Sequence, residues 1–132
     1  MAGIAPWRRR LLGIFLLCGV CFAVGGYAEE VQERFRVSYK SQVEPLPLNR
    51  IHSWILRVET TDAKPVEKAK IRVDGGMPAH NHGLPTEPIV IEIGNGDYLV
   101  QGLKFSMTGH WEMWFEIQAA GIIEKKKIDV DF

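Results

Sequence analysis

Three of the chain's four histidines and three of its four methionines fall in two short windows. The first is Gly76-Met77-Pro78-Ala79-His80-Asn81-His82-Gly83, with two imidazoles at positions i and i+2 and a thioether three residues earlier. The second is Phe105-Ser106-Met107-Thr108-Gly109-His110-Trp111-Glu112-Met113. Imidazole nitrogen and thioether sulfur together suit copper, above all Cu(I), better than magnesium or calcium. Zinc is served less well, because its structural sites take four Cys or His ligands and these windows hold no thiolate. On an extended backbone, side chains two apart project to one side, so His80 and His82 can address one ion. Met77, Met107 and His110 are the further candidate donors. Glu112 shares the parity of His110 and can orient its ring.

Several of these residues have a plainer reading. Met113 shares the parity of Trp111 and Phe115 and reads as core. Met107 follows Leu103 and Phe105, so it reads as core or as ligand. His110 precedes a strand and reads equally as an exposed loop residue. His52 opens a strand with no partner nearby; a half-buried or surface residue with one hydrogen bond is expected, not a ligand. Catalysis is not indicated. No cysteine follows Cys21, and no nucleophile elbow, phosphate-cradling loop before a helix or paired-carboxylate pattern is present.

These windows need a scaffold, and the chain ahead of it reads as a leader. Arg8, Arg9 and Arg10 precede an uncharged apolar run over residues 11–24, and Gly26-Tyr27-Ala28 supplies small residues at a signal-peptidase site. Residues 1–28 are therefore expected to be an export signal or an uncleaved N-terminal anchor, placing the rest in the periplasm or another extracytoplasmic space. Residues 29–132 form one domain by size. Cys18 and Cys21 belong to the leader, so the domain has no disulfide. Without the leader, Lys+Arg falls from 16 to 13 against 16 Asp+Glu, a net charge of about −3. That balance offers no field for nucleic acid. Lys125-Lys126-Lys127, the one compact basic run, reads as a solvated turn or strand edge.

The domain itself reads as strands. Val31, Glu33, Phe35, Val37 and Tyr39 alternate with polar residues, and His52, Trp54, Leu56 and Val58 share one face of a second strand. Ala69, Ile71 and Val73 carry a third. Residues 75–88 have no periodicity and read as one long loop, a length that is often functional. Residues 89–93 and 98–105 flank the hairpin signal Gly94-Asn95-Gly96-Asp97. Trp111, Met113, Phe115 and Ile117 face opposite to Glu112, Trp114 and Glu116. After a turn at Ala119-Ala120-Gly121, a last strand alternates Ile128, Val130 and Phe132 with Lys127, Asp129 and Asp131. About seven short strands with regular turns predict an all-β, immunoglobulin-like sandwich.

Asp74-Gly75-Gly76-Met77-Pro78-Ala79-His80-Asn81-His82-Gly83, Pro85, Pro88 and the stretch from Gly96-Asp97-Tyr98 to Gly109-His110-Trp111-Glu112 resemble the YtkA-like domain family, more distantly related to FixH-type proteins. The resemblance spans residues 50–118. It implies an exported immunoglobulin-like module found near copper and respiratory-oxidase functions. Carried over by position, the candidate ligands are Met77, His80, His82 and Met107, while Leu84 stands where a methionine after His-Gly is expected. The expectation is a copper-binding or copper-delivery domain with a membrane or periplasmic protein partner. The competing reading is a non-metal module docking on an envelope complex. In that case Trp114 is an exposed anchor, unless a bulge buries it between the sheets.

Overall fold

The computed structural model describes residues 32–132; the expected leader and both cysteines lie outside them. Eight strands follow one another: β1 (Phe35–Ser41), β2 (His52–Thr60), β3 (Lys70–Met77), β4 (His82–Gly83), β5 (Ile89–Gly94), β6 (Asp97–Leu103), β7 (His110–Ala119) and β8 (Ile122–Asp131). They form two four-stranded antiparallel sheets, ordered β1-β2-β6-β5 and β4-β3-β7-β8. This is the immunoglobulin arrangement of two Greek-key sheets, with β4 added as a short extra strand beside β3. The expected sandwich is therefore present, with eight strands rather than seven.

The eighth strand comes from the stretch that composition reads as an unbroken loop. β3 runs on to Met77, and a single 3-10 turn at Pro78–His80 begins with proline. Asn81 then enters the left-handed region (φ 51°), and the chain folds back so that Met77 pairs with His82 and Gly76 with Gly83. Gly76 permits this close return, since a Cβ there would lie 2.7 Å from the His82 carbonyl oxygen. Two other boundaries move. β1 begins at Phe35 rather than Val31, and the last strand begins at Ile122, placing the three lysines within edge strand β8.

Alternation puts one face of each sheet into the core. Trp54, Leu56 and Val58 from β2 and Trp111, Met113, Phe115 and Ile117 from β7 are fully buried. Phe105, beyond β6, sits between the two tryptophans, 5.9 Å from Trp54 and edge-on to Trp111 at 5.2 Å. Burying a side chain of this size contributes roughly 1.5–3 kcal/mol, so this aromatic column is a main source of stability in a domain without disulfides. Glu124 of β8 accepts backbone hydrogen bonds from Arg34 and Phe35, tying the second sheet to the start of the first. His52 is buried, not half-exposed. Its Nδ1 lies 3.2 Å from the Arg50 carbonyl oxygen, while its Nε2 and the Trp54 indole nitrogen have no partner among the described residues. Among the described residues no helix is long and apolar enough to cross a membrane.

Candidate metal centre

Residues directly opposite each other in an antiparallel ladder project from the same face. Met77 pairs with His82, and Trp111 with Val130. Met77, Trp111 and Val130 are all buried, so this row lies on the inner face of the β4-β3-β7-β8 sheet. His82, at the edge of that row, is exposed, and its ring stands edge-on to Trp111 at 6.2 Å. His80, in the 3-10 turn, is also exposed, and the two imidazole centroids are 5.9 Å apart. Two imidazoles on one ion, with metal–nitrogen bonds of about 2 Å, have centroids up to about 6.4 Å apart. The pair therefore has the right separation to hold one ion. The cause is the turn rather than the extended backbone expected: the left-handed Asn81 brings the rings together.

The two windows meet here. The Met77 methyl lies 2.8 Å from where a Cβ on Gly109 would be, and Gly109 holds a positive φ of 124°. The Trp111 indole N–H donates to the Met107 carbonyl at 3.0 Å, fixing the segment before β7 over the same end of the core. Met107 is half-buried and packs against the core. Met77 is only 1% exposed, so its thioether is a packing group, reachable by an ion only if this end of the sandwich opens. Met113 is core, as its parity predicts.

His110 goes elsewhere. It alternates with buried Trp111 and pairs with Asp131, so it projects from the outer face of the same sheet. Its Nδ1 lies 2.8 Å from Asp131 Oδ1 and its Nε2 3.5 Å from Asp129 Oδ1. Glu112, paired with Asp129, completes a group whose donor atoms all lie within 4.8 Å of one another. Lys127 reaches between Glu112 (3.1 Å) and Asp129 (3.0 Å), and hydrogen bonds to these carboxylates hold its ammonium pKa above the ordinary lysine value. The five predicted donors are thus divided between two faces: His80, His82, Met77 and Met107 at the inner end, His110 outside with acids. The alternation of β8 gives Asp129 and Asp131 their outward parity, but not their place beside His110.

Trp114 is also on the outer face, half-buried, with Lys125 4.7 Å and Lys127 5.9 Å from its ring centre. It borders an open cleft of about 280 Å³ lined also by Asp74, Gly76, Asn81, His82, Gly83 and Glu112. It is neither buried between the sheets nor a freely exposed anchor, because its own lysines cover it.

A family model described as YtkA-like matches residues 34–115. Among solved structures, a DUF4426 family protein from Pseudomonas aeruginosa PAO1 is similar at a TM-score of 0.55 and 15% identity, over 79% of this chain and 96% of that one. The C-terminal domain of ZirS is similar at a TM-score of 0.42 and 13% identity, over 98% of this chain and 86% of that one. At these identities the first supports the fold alone. No curated protein matches the chain.

Proposed function

The chain belongs to the YtkA-like family, and from that premise we propose that its domain is an exported copper-binding or copper-delivery accessory module. The observation that carries this reading is the exposed pair His80 and His82, with rings 5.9 Å apart and the His82 ring edge-on to Trp111. Both rings stay accessible, as delivery by ligand exchange requires. Among the described residues neither is in an ion pair. In this reading His80 and His82 are the primary donors, Met107 the candidate thioether and Met77 a buried packing group. The metal is Cu(I), for which imidazole and thioether are suited donors. The acceptor is a membrane or periplasmic protein.

Neutral imidazole is the binding form, so protons compete with the ion for these two rings and Cu(I) affinity falls on acidification. A competition titration from neutral to mildly acidic pH tests this directly, and a flat profile removes histidine from the ligand set. Among the described residues no nucleophile, base and oxyanion site come together, and the domain is read here as a binding module.

One observation favours the second reading, a docking module for an envelope complex. Ile89, Ile91 and Ile93 of edge strand β5 are 59%, 45% and 52% exposed. A contiguous apolar row of this kind is a usual contact surface. Ile91→Lys is expected to abolish crosslinking to a partner and leave copper binding intact. The reverse result assigns partner recognition to the histidine end.

A further inference from the structure

We propose that His110, Glu112 and Asp129 form a second metal site, on the outer face of the β7–β8 hairpin, for a divalent ion of borderline character such as Zn(II). It is separate from the His80/His82 end and does not depend on copper binding there. One imidazole and two carboxylates make a donor set that zinc accepts in open sites. This differs from a bare acidic patch in holding an imidazole between its carboxylates. His110 Nδ1 lies 2.8 Å from Asp131 Oδ1, and Nε2, across the ring, lies 3.5 Å from Asp129 Oδ1. A carboxylate that fixes the far nitrogen of a ligating histidine is a recurrent support of zinc sites.

The backbone is equally well placed. Glu112 and Asp129 are directly paired across the hairpin, as are His110 and Asp131, over buried Trp111 and Val130. Donors within 4.8 Å need to close by at most about 1.5 Å to reach the spacing that zinc–ligand bonds of about 2.0–2.2 Å require. The side chains are between a quarter and half exposed, so they are free to make that adjustment.

Lys127 is the internal competitor. Its ammonium bridges the same two carboxylates, and an incoming ion displaces it. This gives the proposal a test that a simple ion-pair network fails. In a His80→Ala/His82→Ala background, which removes the other histidine pair, zinc ion alone is titrated calorimetrically into the domain. Lys127→Met should tighten zinc binding by about tenfold or more, since a positive charge beside the ion is removed. His110→Ala should abolish it, and Asp131→Asn should weaken it by about 10–100-fold. Thermal melts of each variant establish that the hairpin is intact. Absence of zinc binding in both the Lys127 protein and Lys127→Met overturns the proposal, as does binding indifferent to His110→Ala. Cu(I) affinity of His110→Ala in the otherwise unaltered domain should remain, so failure of one site is read independently of the other.

Discussion

The β4-β3-β7-β8 sheet carries a histidine group on each face, and the two differ in every chemical respect except the imidazole. At the inner end, His80 and His82 stand beside one another, with the His82 ring edge-on to Trp111 and Met77 paired with His82 across the ladder. Outside, His110 stands among Glu112, Asp129, Asp131 and a lysine. Sulfur and aromatic carbon on one side suit a soft ion; carboxylates on the other suit a harder one. Adjacent positions of one strand make the difference, since Trp111 points inward and both His110 and Glu112 outward. In a sheet, one residue of register decides which face, and so which neighbours, a side chain joins.

The change that breaks this comparison most severely is Trp111→Ala. It removes the wall behind His82, the donor to Met107 and the partner of Phe105. The expected cost is about 3–5 kcal/mol, measured by urea unfolding, with binding on both faces impaired. Gly109→Ala acts on the inner end alone. The Met77 methyl can yield to the new Cβ, but a φ of 124° cannot be relieved locally, so about 1–3 kcal/mol of strain is expected as a lowered Tm. His110 chemistry should survive in it, which sharpens the division between faces.

Glu124 anchors the other end of the outer hairpin. Burial alone would raise its pKa. Hydrogen bonds from the Phe35 and Arg34 amides and the nearby Lys126 ammonium outweigh that and hold it below the ordinary carboxylate value. A carboxyl with a depressed folded-state pKa contributes stability that is full above its unfolded value, near 4.5, and lost as pH falls through the folded one. Glu124→Gln should cost about 1–2 kcal/mol at neutral pH and blunt the acid-induced fall in urea midpoint. The smallest effect on stability is expected from His80→Ala/His82→Ala, within about 0.5 kcal/mol because both residues are exposed. Its loss of copper affinity then reports ligation rather than unfolding.

Strand parity made most of the fold legible. Trp54, Leu56 and Val58 are buried as their alternation says, as are Trp111, Met113, Phe115 and Ile117. β4 was not legible, because two residues carry no period; its existence depends on Pro78, left-handed Asn81 and the missing Cβ of Gly76 acting together. The neighbourhood of His110 was within reach. A two-residue turn at Ala120-Gly121 pairs Ala119 with Ile122, and counting back along both strands places Asp129 opposite Glu112 and Asp131 opposite His110. The burial of Met77 required knowing that β3 continues through the window instead of stopping before it.

The most direct test is a Cu(I) competition titration of the domain beside two variants, His80→Ala/His82→Ala and His110→Ala. The two-faced account predicts that the first weakens Cu(I) binding by at least about tenfold while the second leaves it unchanged. Equal losses in both variants would contradict it by placing all three histidines around one ion. Absence of Cu(I) binding in the unaltered domain would remove the copper function and leave the isoleucine row of β5 as the surface to pursue.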